Sequence, residues 1–492
     1  MPTLRQQLAQ RDPIELHIIA QNQGLLLEPA GRDLLTTLVE QMLQPAQVQA
    51  VWDDLDAEAR RALAHLARLP QGMPAPTFQR HYGELRRIGP GRLPTEQPWK
   101  QPTGPAETLW YLGWLTRGFR KRTEGVIDVV ALPDDLTPLL PAEALAWEES
   151  TPTALAPAPA GVHCRALGAL LLDDLGTLLA YVQNHPVWLK RQGRWPVRDW
   201  QQLLPRLRLS SLREQPLEVG GPLHLLIWSA RKLGLLVERQ RRQRFGKALR
   251  PWLEMSRAAQ LDSLFQAWRQ AEDWNDLCLV SGLKCQPGAW RNDPLLARTT
   301  LLQMLAQAEP EVCFQLEALV QALYQQNPDF QRPDGLYDTW YIQDAAGQDL
   351  RGFEHWREVE GRLIQGIWQG PLFWLGVVAM DETGAFWHLT SAGAAMLRGE
   401  PVDDVPDAPV LHVQEDFQIV LAPHIGLWDR LRVARFAFWL ASEPEFRYQI
   451  NRRGMLRARK HGISGAQIVD FLQRASHHQV PPRVQRTLES FR

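Results

Sequence analysis

Cysteine is scarce in this chain: four among 492 residues, at Cys164, Cys278, Cys285 and Cys313. So few cannot staple a chain of this length, which excludes a disulfide scaffold. None of the spacings is CxxC, so a structural zinc site is not expected. All four should be reduced, buried thiols in a cytoplasmic protein. Long apolar runs are missing too. None approaches the ~20 residues that cross a bilayer, and no membrane partner is expected. The opening residues Met1-Pro2-Thr3-Leu4-Arg5-Gln6-Gln7 lack a signal-peptide pattern.

The signatures of nucleotide hydrolysis and of hydrolases are also absent. No GxxxxGK[ST] occurs, and Phe245-Gly246-Lys247-Ala248 lacks both the upstream glycine and the Ser/Thr that would ligate magnesium. Gly89-Pro90-Gly91 runs into Arg92-Leu93-Pro94, without the third glycine of a dinucleotide loop. There is no HExxH, GxSxG or kinase set. His477-His478 are adjacent, so they do not face one metal from a helix. Paired carboxylates at Asp53-Asp54, Asp134-Asp135, Asp173-Asp174 and Asp403-Asp404 read as helix N-terminal or turn charges. Neither catalysis nor a cofactor is expected. A metal-dependent nuclease would need a spaced acidic–lysine set that the chain lacks.

What is present is segregated charge. The whole chain carries −1, but residues 186–250 hold 15 Lys/Arg against 4 Asp/Glu, a net of +11. Residues 429–492 hold 13 against 5, a net of +8. Residues 260–416 hold 9 against 24, a net of −15. Clustered positive charge is the footprint of a polyanion-binding surface; solvated helix faces are the plainer alternative.

Pro/Ala-rich residues 150–161 and the turn-rich run 399–409 read as linkers, with a weaker break at 286–294. They divide the chain into 1–150, 162–290, 291–402 and 403–492. Three of these segments repeat a theme. An apolar helix ends at a Leu-Gly step, at Leu112-Gly113, Leu233-Gly234 and Leu375-Gly376, and a β-rich stretch follows. Glycine past a helix end suits a left-handed cap, and the next residues suit a hairpin. With amphipathic helices upstream, the order is that of tandem winged helix-turn-helix units: mainly α with small β wings (α+β). Trp110, Trp114, Trp228, Trp252, Trp374 and Trp387 fall in or beside the theme and are expected in the cores. In residues 1–50, Leu34, Leu35, Leu38, Val39 and Met42 share one helical face.

Segment 403–492 alternates strand and helix patterns. Strands are expected on either side of Glu415-Asp416, a helix over Leu427–Leu440, a strand at Phe446–Asn451, and a basic helix from Arg452 ending at Gly462. A capped helix from Ser464 and a short helix after Pro481-Pro482 follow. This arrangement resembles the N-terminal domain of XPB-type helicases and its stand-alone bacterial relatives. The resemblance rests on Val413–Val420, the Tyr448 strand, Gly462-Ile463-Ser464 and Val480-Pro481-Pro482. Upstream, Trp374-Leu375-Gly376 with Leu389–Gly393, and Gly91-Arg92-Leu93 with Glu107–Tyr111, look alike too. It covers most of the chain loosely and 410–485 more specifically. It implies a small α/β domain that contacts DNA and partners beside a helicase motor. No motor motif exists in this chain, so helicase activity does not carry over.

The expectation is a non-catalytic DNA-binding accessory protein. It would hold duplex or forked DNA through phosphates and act with a helicase or other protein partner. Candidate phosphate contacts are Arg120, Lys121 and Arg122 in the first segment. The second offers Arg231, Lys232, Arg241, Arg242, Arg244 and Lys247, and the fourth Arg452, Arg453, Arg457, Arg459 and Lys460. Asp381-Glu382 in the third hairpin would repel phosphate, so that unit is expected to contact protein. The alternative is a protein-interaction adaptor without nucleic acid, in which the acidic stretch pairs with the basic ones.

Overall fold

In the computed structural model, residues 1–25, 33–86, 88–122, 125–146, 155, 157–159, 161–209, 219–402, 411–423 and 425–491 are described. Helix takes 51% of the chain and strand 12%, so the fold is mainly α with small sheets. Two units form: Met1–Ala154 with Gln326–Thr339, and Leu155–Gln325 with Trp340–Arg492. The expected segment 1–150 makes up most of the first unit. The expected segments 162–290, 291–402 and 403–492 lie in the second, except for 326–339. Linker residues 150–161 and 399–409 fall largely outside the described set.

In the first unit, the apolar stripe of Leu34–Met42 is buried through Leu38, Val39 and Met42 against Trp52, Leu63 and Trp114. Strands β1 (Met73–Pro74), β2 (Thr116–Arg122) and β3 (Gly125–Ala131) form an antiparallel sheet in the order β1-β3-β2. The Met1 amino group binds Asp134 at 2.7 Å, and Asp135 accepts from the Leu4 amide at 2.7 Å. Segment 326–339 joins this unit because Arg80 grips both Asp329 oxygens at 2.5 Å and donates to the Gly335 carbonyl at 2.8 Å.

In the second unit, β4 (Leu236–Arg239) and β5 (Arg242–Phe245) make a hairpin, and β6 (Lys284–Cys285) pairs with β8 (Ile342–Gln343). Strands β7 (Phe314–Gln315), β9 (Val378–Met380) and β10 (Phe386–Leu389) stand in the order β7-β10-β9. The last sheet holds β11 (Leu411–Val413), β12 (Gln418–Leu421), β13 (Ala437–Ala441) and β14 (Phe446–Ile450) in the order β11-β12-β14-β13.

The three Leu-Gly steps share one local geometry. Gly113, Gly234 and Gly376 have φ of 75°, 69° and 72°. After each, the next amide reaches back five residues: Trp114 to Leu109 at 3.1 Å, Leu235 to Ala230 at 2.8 Å, Val377 to Leu372 at 2.9 Å. This is the Schellman cap, which satisfies orphan carbonyls and needs a left-handed residue. Trp114, Leu235 and Val377 are fully buried, so each cap also drives an apolar side chain into a core. Ahead of each hairpin stand several helical segments with a short strand contact among them. The contact is β1 in one case and β7 in another, and in the third a Trp188–Arg242 bridge after helix Gly168–Asn184. Trp252 and Trp387 are also buried, whereas Trp110, Trp228 and Trp374 are half-buried.

Several expectations are corrected. The helix expected over Leu427–Leu440 stops at Phe436, and Ala437 turns to φ −118° to begin β13. The carbonyls of Ala434, Arg435 and Ala437 are taken by the Arg457 guanidinium, and pairing with β14 outweighs helix propagation. Asp53-Asp54 closes the helix Pro45–Asp54 rather than opening one. Asp173-Asp174 lies inside helix Gly168–Asn184 and is buried. Asp173 holds Arg208 and Arg257 at 2.9 Å each. Asp174 accepts from the Arg208 and Leu209 amides at 2.7 and 2.9 Å, and its burial pushes its pKa up to about 7. Asp403-Asp404 lies outside the described residues. Finally, Cys278 and Cys285 are not reduced thiols. They form a disulfide, brought together by a turn at Gly282 with Cα atoms 5.4 Å apart, inside the bridging range. Cys164 and Cys313 are free, with sulfurs 3.6 Å apart, and burial pushes Cys164 up to about 12.

Candidate nucleic-acid interface

The β4–β5 hairpin closes through Gln240 and Arg241, with φ of 53° and 59°. Two consecutive left-handed residues match the strand twist of a tight hairpin. Cross-strand register pairs Arg239 with Arg242 and Val237 with Arg244, so Arg239, Arg242 and Arg244 share one face and Arg241 sits at its tip. The opposite face carries Gln243, which is buried. A third extended segment runs beside β5: the Gln243 amide donates to Val187 at 3.0 Å and the Leu189 amide to Arg241 at 2.7 Å. Between them Trp188 is 57% exposed, with the Arg242 guanidinium 5.9 Å from its ring. Arg241, Arg244 and Lys247 are exposed. Among the described residues, no acidic group reaches them.

The second basic element is the helix Arg452–Lys460, capped by Asn451, which accepts from the Gly454 amide at 2.9 Å. Gly454, Met455 and Ala458 face inward; a Cβ on Gly454 would meet the Phe436 carbonyl at 2.1 Å. Arg452, Arg453, Arg459 and Lys460 are exposed on the outer face, with no acidic partner among the described residues.

Three expected contacts lie elsewhere. Arg231 is half-buried and donates to the Gly193 carbonyl at 2.8 Å and to Gln243 at 3.0 Å, so it ties the hairpin down. Arg457 caps the carbonyls ending helix Leu427–Phe436 and lies 4.6 Å over Phe438. Burial lowers the pKa of both guanidiniums. Lys232 is bound to Asp273 at 2.6 Å on the surface.

In the first unit, Arg120 is half-buried and Lys121 exposed on β2. Arg122 ends that strand, and its side chain lies outside the described residues. On the same hairpin Phe119 and Val126 are 79% and 60% exposed.

Sequence reasoning missed Trp188. Val187-Trp188-Leu189 is a run of three apolar residues with no alternation, and only pairing with β5 leaves Trp188 exposed between buried Val187 and Leu189. Among the described residues no group of three or more His, Cys, Asp or Glu could hold a metal ion. No helix among them is long and apolar enough to cross a membrane. No protein-family model and no curated protein matches this chain.

Proposed function

We propose that this protein is a non-catalytic DNA-binding accessory factor built from three winged-helix modules and a C-terminal α/β domain similar to that beside XPB-type motors. The observation that carries the reading is the set of solvent-facing cations without acidic partners among the described residues. Arg241, Arg244 and Lys247 sit on the hairpin, and Arg452, Arg453, Arg459 and Lys460 on the C-terminal helix. Unpaired exposed cations on a hairpin and a helix face are suited to phosphates, which fix position without reading sequence. The recurrence of helices with a short strand contact, a Leu-Gly cap and a hairpin supports the winged-helix assignment. A helicase or other motor would then be supplied by another chain.

The test is fluorescence anisotropy of the purified chain with duplex and forked DNA across a salt series. The expected result is an affinity that falls by several log units per log unit of salt, as multiple phosphates release their counterions. No binding at low salt would overturn the reading and favour the protein-interaction alternative.

A further inference from the structure

We infer that a cleft between the second hairpin and helix Leu427–Phe436 receives a single unpaired nucleotide. This inference rests on the DNA-binding reading above and names the part of DNA that the site takes. The cleft has a volume of about 480 Å³, within the range of small-ligand sites. Its floor is apolar: Leu249, Leu253 and Leu431 are 6%, 5% and 4% exposed. Two aromatic rings border it, Phe245, which is 36% exposed, and the half-buried Trp428.

The rim is cationic. Arg432 lies 4.8 Å over the Trp428 ring and is held by Asp429 at 3.2 Å through one terminal nitrogen. Arg250 uses its Nε on Glu254 at 3.1 Å, leaving its terminal N–H groups toward solvent. Arg435 is exposed, with no acidic partner among the described residues. In the wall, Gln183 donates its amide to the Leu431 carbonyl at 3.0 Å, leaving its own carbonyl as an acceptor.

Among the described residues no carboxylate lines the cleft. Flat apolar walls under a rim of guanidinium groups fit a flat base that carries an anionic phosphate. Aromatic rings hold bases of any identity by stacking, while arginine holds the backbone. A paired base stays in its helical stack and cannot enter, so an unpaired base is the occupant. The site adjoins Phe245 and Gly246 at the end of β5, so a strand lying on the basic hairpin leads directly to its mouth.

The experiment compares a blunt duplex with the same duplex carrying one extrahelical 2-aminopurine nucleotide. The bulged probe is expected to bind roughly tenfold more tightly, a usual size for stacking one base, and its fluorescence to be quenched on binding. Trp428→Ala should abolish the quench and the preference while leaving duplex affinity unchanged. Arg435→Gln, a surface change that folding tolerates, should reduce the preference alone. Equal binding of both probes without quenching overturns the inference and leaves DNA binding standing. So does a preference that neither variant changes. Failure to bind either probe overturns both readings.

Discussion

The β4–β5 and β9–β10 hairpins follow the same Leu-Gly cap but present opposite surfaces. β4–β5 turns through Gln240-Arg241 and sends Arg239, Arg242 and Arg244 to one side. β4 is an edge strand, and its Glu238 and Arg239 are exposed. The third hairpin turns at Asp381, whose carboxylate accepts from the Thr383 and Phe386 amides at 3.1 and 2.8 Å. Every residue of β9 is buried, and its outer edge is closed by a reciprocal bridge between Arg165 and Met380, at 2.9 and 3.0 Å. An open, cationic edge suits a polyanion, whereas a covered strand with an acidic turn does not. The shared cap therefore sets the shape of a module, and its edge and charge set what that shape can meet.

The largest effect is expected beneath the covered module. Arg298 is fully buried and binds Asp276 at 2.6 Å and the carbonyls of Trp268, Ala271 and Trp274 at 2.7, 2.8 and 2.6 Å. Asp276 in turn accepts from the Trp268 and Trp274 indoles at 3.0 Å each. Arg298→Met should cost about 3–5 kcal/mol in urea unfolding, because it strands a buried carboxylate. A loss below 1 kcal/mol would show that the hub does not anchor this module.

On the open module, joint reversal of Arg241, Arg242, Arg244 and Lys247 to Glu should weaken DNA binding at least tenfold. It should also lower the salt slope by about 3–4. Glu382→Gln in the third hairpin should leave both unchanged. Similar responses from the two hairpins would erase the contrast drawn between them.

The caps themselves give a smaller, graded effect. Gly234→Ala forces a left-handed alanine, costing about 1–2 kcal/mol, while the new methyl makes only ordinary van der Waals contact, its nearest neighbour being Ala248 at 3.6 Å. Gly376→Ala should cost more, because its Cβ would meet the Gly168 backbone at 3.1 Å. Thermal unfolding of the two variants should rank them in that order, and the reverse order would contradict the packing.

A pH slope is expected in the open module as well. Asp174 titrates at about 7 in the folded chain, against the ordinary ~3.9. The folded state therefore keeps a proton that the unfolded state has lost. Its stabilisation is complete below about pH 4 and disappears as pH rises through about 7. Relative to wild type, Asp174→Asn should gain stability between pH 5 and pH 8; parallel stability curves would rule this out.

Local features were legible in the sequence. The three Leu-Gly caps were readable because a left-handed residue after an apolar helix is a demand of the backbone itself. The Ser464 N-cap and its helix were readable because a serine hydroxyl at that place accepts from a backbone amide of the first turn. The helix end at Phe436 was not, because Arg457, twenty-one residues onward, occupies its carbonyls. The Cys278–Cys285 bridge was missed because a separation of seven carries no motif until a turn folds it.

The amount and segregation of charge along the chain are properties of composition, and the sequence alone determined them. Which cation is free to meet a ligand was decided only by tertiary structure. Arg241 and Arg231 lie ten residues apart in one basic run, yet one stands in solvent at a hairpin tip and the other ties that hairpin to its core. Arg430 is likewise drawn inside, to the Asp173 carbonyl at 2.6 Å and over the Phe446 ring. A guanidinium carries its charge wherever it lies, but its partners are chosen by long-range packing, which no local pattern encodes.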